Sequence, residues 1–155
     1  MVVNIICVGN LKEKYWISAI EEYSKRLKLF CEFNIIEVKE FNEGKSSAEV
    51  LNNKKQESKL LEKYKKGYTI GLEIKGEQLS SEQLADKLKD ITLQGNSTIS
   101  FFIGGSNGLD KDFSNSLDYK ISFGKCTYPH QLMRVILTEQ IYRCFMINSN
   151  RSYHK

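Results

Sequence analysis

The chain is poor in the residues that metal sites and disulfide frameworks require. Its 155 residues include one proline, two histidines and four cysteines, at positions 7, 31, 126 and 144. No CxxC motif occurs and no cysteine has zinc-site spacing to a histidine, so we expect no bound metal. Isolated cysteines are typical of a reducing compartment, which indicates a cytoplasmic protein.

Long apolar runs and targeting signals are also missing. No stretch approaches the roughly 18 consecutive apolar residues of a membrane span. The first residues read as a buried strand, without the basic region or cleavage site of a signal peptide. Repeats, low-complexity segments and linkers are absent too. We therefore expect a single domain, residues 1–155, that does not cross a membrane.

What the sequence does contain is a regular alternation of strand and helix patterns. Apolar, β-branched segments alternate with segments whose apolar residues recur every three or four positions. This alternation predicts an α/β fold with a mostly parallel sheet flanked by helices. The predicted strands are 2–8, 31–39, 67–74, 97–103 and 119–124, and the predicted helices are 12–28, 47–66, 80–93, 110–117 and 130–148.

The net charge of +4 is concentrated in the last fifth of the chain. Residues 125–155 carry five basic residues and one acid, whereas residues 1–124 carry equal numbers of both signs. A local positive field steers anionic ligands, so this segment indicates an anionic partner. A charge run elsewhere, between 47 and 66, reads as the solvated face of a helix.

Residues 125–155 also predict a long final helix. It begins after Pro129, since proline suits the first turn of a helix. His130, Arg134 and Thr138 are four residues apart and share one face. His130 either caps and packs at the helix start or takes part in a site, and Arg134 is either a plain surface arginine or part of the basic patch. The helix is apolar around much of its circumference, which indicates a partner chain or a fully buried central position.

Glycines follow the fourth predicted strand, at Gly104 and Gly105. In open parallel sheets ligands bind at the carboxyl ends of the strands. The sequence has neither GxxxxGK[ST] nor GxGxxG, so the two glycines fit a tight turn as well as a ligand site. No GxSxG nucleophile motif occurs, and Cys126, four residues before His130, is the one cysteine placed to act as a nucleophile.

Three segments together are similar to a known family. FFIGGSNGL (101–109), ISFGKCTYPHQLMRVILTEQIYR (121–143) and SYHK (152–155) resemble the large-subunit ribosomal RNA methyltransferase H family, a small branch of the SPOUT class of knotted methyltransferases. Residues 9–27 and 72–82 resemble it as well, so the similarity covers the whole chain. It implies an α/β domain with a C-terminal deep trefoil knot, although knots are otherwise nearly absent from proteins.

The resemblance also implies a cofactor, a substrate and an assembly. It implies a homodimer whose active site lies between protomers, and methyl transfer to N3 of a pseudouridine in a stem-loop of 23S rRNA on assembled ribosomes. The methyl donor is S-adenosylmethionine, and the positions that match the family's binding motifs are Leu72, Gly104, Phe123, Gly124, Lys125, Cys126, Thr127 and Tyr128.

The target imide must lose a proton during methyl transfer. The candidate catalytic residues are His154, Tyr153 and Arg134, with His154 as the proton acceptor because a neutral imidazole is available near neutral pH. Two other functions remain open. The basic segment would also suit a non-enzymatic RNA-binding module, and the glycine loops would also suit a small-molecule sensor.

Overall fold

The structure, a computed structural model, describes residues 1–41, 44–151 and 153. Its centre is a five-stranded sheet in the order β2-β1-β4-β3-β5, in which every neighbouring pair is parallel. The strands are β1 Val2–Val8, β2 Glu32–Val38, β3 Tyr68–Gln78, β4 Thr98–Ile103 and β5 Tyr119–Ser122. The helices are α1 Lys14–Leu27, α2 Ser47–Glu62, α3 Ser81–Leu93, α4 Lys111–Asn115 and α5 His130–Asn148.

Helices cover both faces of the sheet, because alternate strand residues point to opposite sides. Ile5 and Phe101 belong to the larger core cluster, which also contains buried residues of α1, α3 and α5. Ile6 and Phe102 point the other way, into a smaller cluster formed with α2 and α4. Strands buried on both faces read as continuous apolar runs, as β4 does.

Local capping signals set the starts of two helices. Ser80 accepts a hydrogen bond from the backbone N–H of Gln83, and the Gln83 side chain accepts one from Ser80 N at 2.8 Å. The S-x-x-Q pattern of residues 80–83 predicts this capping box. A second one, between Ser46 and Glu49, begins α2 and was not predicted.

The third strand departs from the prediction. It does not end near residue 74 but continues to Gln78, with a register shift against β5 between Leu72 and Glu77. Both of these residues pair with Ile121, so residues 73–76 form an excursion at the carboxyl edge of the sheet. The predicted turn at Lys75-Gly76 is therefore part of a bulged strand, because pairing with β5 resumes after it.

The predicted fold class is confirmed: a parallel sheet with helices on both sides. The deep trefoil knot implied by the family resemblance stays a prediction. Within the described part of the chain, no helix combines the length and apolar character needed to cross a membrane.

Candidate functional site

A cavity of ≈ 930 Å³ opens at the carboxyl edge of the sheet, beside the ends of β3, β4 and β5. Its volume lies at the upper end of the range usual for small-molecule sites. Apolar side chains such as Leu109 and Met133 line part of it, and residues 104–108 and 126–130 form its rim. All but one of the predicted cofactor positions line this cavity: Leu72, Gly104, Phe123, Gly124, Cys126, Thr127 and Tyr128.

The remaining predicted cofactor position, Lys125, lies beside the cavity but is not part of its lining. Its side chain is exposed to solvent. Cys126 is also exposed, whereas Cys7, Cys31 and Cys144 are buried. Burial raises the pKa of the Cys7 and Cys144 thiols to about 12, so these two are inert packing residues.

The glycine loop after β4 is shaped by its own backbone. A Cβ on Gly104 would lie 2.4 Å from the carbonyl carbon of Gly108, so no side chain fits there even without a ligand. Gly108 closes the loop by donating its N–H to Gly105 O at 2.9 Å, and its φ of +72° favours glycine. A Gly104→Val change would therefore disrupt the loop itself, with or without a bound cofactor.

Gly124, on the other side of the cavity, is different. Its φ is +121°, and the space where a Cβ would point holds no atom within 4 Å. Because Gly124 has no side chain and faces open space in the cavity, a ligand can approach its backbone closely. The Ser122 hydroxyl fixes this turn, since it donates to Gly124 O at 2.9 Å and accepts from Gly124 N at 3.2 Å.

Glu40, which follows β2, supports the glycine loop although it is not part of the cavity lining. One carboxylate oxygen of Glu40 accepts hydrogen bonds from Ser106 N at 3.0 Å and from Ser106 Oγ at 2.9 Å. The other lies 4.0 Å from His130 Nε2. Burial works to raise the pKa of Glu40, but the Ser106 hydrogen bonds and the nearby His130 and Arg134 outweigh it and hold the pKa below its ordinary value. Glu40 therefore ties the glycine loop to the end of β2.

His130 is the histidine that the structure places in the cavity wall. Partial burial lowers the pKa of its imidazole, Glu40 opposes this shift and Arg134 adds to it. The ring is therefore neutral near pH 7. The sequence left its role open between helix packing and a site. Neither Glu40 nor Ser106 was singled out, because nothing in the sequence indicates that the end of β2 meets the loop after β4.

Arg134 does not lie on an exposed basic surface, and this corrects the prediction. Its side chain is fully buried. It donates to Val8 O at 2.6 Å and Gly9 O at 2.8 Å, and it pairs with Glu37 at 2.9 Å. A guanidinium engaged in this way holds the end of β1 against α5, because buried charges require partners. The basic patch that the sequence indicates therefore does not include Arg134.

Tyr153 lies away from the cavity, packed against the larger core cluster. Its hydroxyl lies 3.3 Å from a Glu139 oxygen, its ring meets Tyr142 edge-on at 4.9 Å, and Arg143 covers the ring at 4.8 Å. Burial, with a hydrogen bond to Tyr23, raises the pKa of Tyr153 to about 12. His154, the predicted proton acceptor, lies outside the described residues.

Comparison with known proteins adds to this geometry. The family model described as "Predicted SPOUT methyltransferase" matches residues 1–154. The chain is 48% identical to a protein of Clostridium novyi (strain NT) and 50% identical to one of Finegoldia magna, over 159 and 160 residues. Both alignments cover 100% of each chain, and both proteins are named ribosomal RNA large subunit methyltransferase H.

The fold is also similar to a solved structure. A probable methylase family protein from Haemophilus influenzae Rd KW20 superposes with a TM-score of 0.58 at 11% identity. The match covers 99% of this chain and 70% of that one. At this identity the similarity concerns the fold alone.

Proposed function

The chain belongs to the SPOUT methyltransferase family, and we propose that it transfers a methyl group from S-adenosylmethionine to N3 of a pseudouridine in a stem-loop of 23S rRNA on assembled ribosomes. The observation that carries the proposal is the cavity at the carboxyl edge of the sheet. It gathers nearly all of the cofactor positions implied by the family motifs, although Leu72 lies more than 30 residues before Gly104 in the chain.

The cavity suits a ligand with an apolar body and polar ends. Leu72, Phe123 and Met133 supply apolar walls, and the glycine turns at 104–108 and 124 expose backbone groups. These residues would hold S-adenosylmethionine largely through the backbone. The bound cofactor supplies a methyl group activated on a sulfonium. The chain's part in the reaction is then mainly positioning, which by itself lowers barriers substantially when the reacting atoms are held in line.

The chain must also remove or accommodate the proton of the target imide. Tyr153, with a pKa of about 12, stays protonated near pH 7, so it suits donating a hydrogen bond rather than accepting the proton. We assign the acceptor role to His154 and a supporting role to Tyr153 in holding the target base. Arg134 acts as a positioning residue, because it fixes the end of β1 and the start of α5.

The position of Tyr153 supports a homodimer. Its contacts are with the second half of α5, whereas the cavity is lined by His130 and Met133 at the start of that helix. The nine residues from Met133 to Tyr142 correspond to ~13 Å along a helix. A tail that acts on the target base at the cavity therefore serves the cavity of a second protomer.

The surface of α5 supports the same assembly. Val135 and Ile136 lie about one helical turn after Leu132. All three residues are half-buried, and none belongs to either core cluster. An apolar stripe of this kind fits a second copy of the helix. We infer a homodimer whose interface includes this stripe, formed by single-domain protomers that work in the cytoplasm, where the ribosomes are.

A methyl-transfer assay tests the proposed function. Labelled S-adenosylmethionine is incubated with the protein and with ribosomes from a strain that lacks the protein, and the modified nucleoside is identified by mass spectrometry. We expect one 3-methylpseudouridine per ribosome. A protein that binds ribosomes but shows no calorimetric binding of S-adenosylmethionine would instead be the non-enzymatic RNA-binding module.

A further inference from the structure

An RNA substrate must reach the carboxyl edge of the sheet, because the cavity opens there. The arginines that the sequence pointed to are engaged elsewhere. Arg134 is buried. Arg143 forms an ion pair within α5 and covers the ring of Tyr153, and Arg151 packs over an aromatic ring at 5.2 Å. The cations that meet phosphates near the cavity have to come from other parts of the chain.

Exposed lysines from several strand ends provide them. Lys12 and Lys14 follow β1, Lys39 follows β2, Lys75 lies in the excursion of β3, and Lys125 follows β5. Since all strands are parallel, these lysines share the edge at which the cavity opens. From β2 to β5 the edge spans four strand spacings, ~19 Å. That length corresponds to about five stacked nucleotides.

The turn between β1 and α1 also offers an exposed aromatic ring. Tyr15 is 61% exposed, and its ring meets that of Trp16 at 4.7 Å with the planes inclined by 63°. Base stacking on exposed aromatic rings is a common mode of RNA recognition. Glu13 lies between the two lysines of the turn, so the turn carries a net charge of +1.

The start of the turn is held in place by Glu37, which also pairs with Arg134. Glu37 accepts hydrogen bonds from Asn10 Nδ2 at 2.9 Å and from Leu11 N at 2.8 Å, in addition to its ion pair. A turn fixed in this way presents its side chains at little entropic cost on binding. The start of this connection also adjoins the site, because a Cβ on Gly9 would lie 3.4 Å from Nε2 of His130, which lines the cavity.

We propose that this turn, residues 12–16, docks the rRNA substrate beside the cavity: Lys12 and Lys14 contact phosphates, and Tyr15 stacks on an unpaired base. The inference rests on the proposed function and names the surface that the substrate uses. Neutralising two phosphate contacts weakens binding by about tenfold at moderate salt, since each released counterion contributes roughly threefold.

The test compares two double variants that remove the same charge. Lys12→Gln with Lys14→Gln changes the carboxyl edge, and Lys28→Gln with Lys66→Gln changes exposed lysines that precede β2 and β3 at the opposite edge. Cosedimentation with unmethylated ribosomes gives Kd at several salt concentrations, and calorimetry gives the affinity for S-adenosylmethionine. We expect Kd for ribosomes to rise about tenfold in the first variant only, and the slope of log Kd against log salt to fall by about two. Cofactor affinity should stay unchanged in both.

Two substitutions of Tyr15 test the aromatic contact. Tyr15→Phe keeps the ring and should bind ribosomes like the wild type, whereas Tyr15→Ser should weaken binding roughly tenfold. Equal ribosome affinity in the wild type, the Lys12/Lys14 variant and the Lys28/Lys66 variant would overturn the inference. The proposed function fails separately, when the wild type binds ribosomes but transfers no methyl group.

Discussion

Arg134, which is fully buried, and Glu37, which is partly exposed, form an ion pair of 2.9 Å that joins α5 to β2, across 97 residues of sequence. The guanidinium also closes the end of β1 through Val8 O and Gly9 O. Arg134, which looks like a surface residue in the sequence, is therefore the buried centre of a brace that connects α5 with β1 and β2.

Loss of the brace should destabilise the fold before it affects RNA. Arg134→Met removes the donor to the carbonyls of Val8 and Gly9, whereas Glu37 is partly exposed and keeps its hydrogen bonds from Asn10 and Leu11. Each buried acceptor left without a hydrogen bond costs about 1–3 kcal/mol. Thermal unfolding should show a Tm lowered by several degrees. A variant with wild-type Tm but weaker binding to ribosomes would restore the surface role that the sequence first indicated.

Much of the fold followed from local patterns. The first strand, the capping box at Ser80 and the helix after Pro129 were predicted, because periodicity and capping are properties of neighbouring residues. The i,i+4 spacing of Glu139 and Arg143 likewise predicts their ion pair, which is 2.7 Å long.

The parts of the site that were missed depend on non-local contacts. Glu40 meets Ser106 across 66 residues, and no local pattern indicates that pairing. The extension of β3 to Gln78 depends on β5, which lies more than 40 residues further along the chain. The positions of the cavity glycines, by contrast, were available from the family motifs, because a motif records a three-dimensional arrangement that composition does not.

The carboxylate of Glu40 should make cofactor binding sensitive to acid. Its folded pKa lies below the ordinary value of 4.5, so the Ser106 contacts favour the charged form. The stabilisation is present above pH 4.5 and is lost as pH falls through the lower folded pKa. Affinity for S-adenosylmethionine, measured by calorimetry from pH 7 downwards, should fall in this acidic range.

Glu40→Gln provides the control for that pH dependence. It keeps the size of the side chain but removes its charge, so we expect a few-fold weaker cofactor binding at pH 7, because hydrogen bonds to charged groups are the stronger ones. The affinity of this variant for S-adenosylmethionine should no longer fall through protonation of residue 40. An unchanged acid profile in Glu40→Gln would assign the effect to another group.

Gly124 and Gly95 allow backbone strain to be separated from a cofactor role. Both have positive φ, +121° and +92°, and neither has an atom within 4 Å of the position a Cβ would take. Gly95 lies just before β4, at the edge of the sheet opposite the cavity. Gly124→Ala and Gly95→Ala should each cost about 1 kcal/mol of stability. We expect Gly124→Ala alone to weaken S-adenosylmethionine binding by tenfold or more, and equal affinities in the two variants would remove Gly124 from the site.

The C-terminal tail needs a test that does not depend on deleting it. Tyr153 packs against Tyr142 and Arg143, so removal of residues 153–155 should lower Tm as well as methyl transfer. Tyr153→Phe keeps the packed ring, and His154→Gln changes only the imidazole. Both should retain the wild-type dimer mass and cofactor affinity. His154→Gln should lose methyl transfer, because the target imide loses its proton acceptor.

Mixed dimers decide whether the tail serves its own protomer or the partner. His154→Gln and Gly124→Ala chains, each inactive as a homodimer at low cofactor concentration, are unfolded together and refolded as an equal mixture. When the tail of one protomer completes the cavity of the other, each heterodimer holds one site with neither change, so the mixture should recover about a quarter of the wild-type rate. When each tail serves its own cavity, every site carries one of the two changes and the mixture stays inactive. Recovery would establish the shared site, and an inactive mixture that light scattering shows to contain refolded dimers would rule it out.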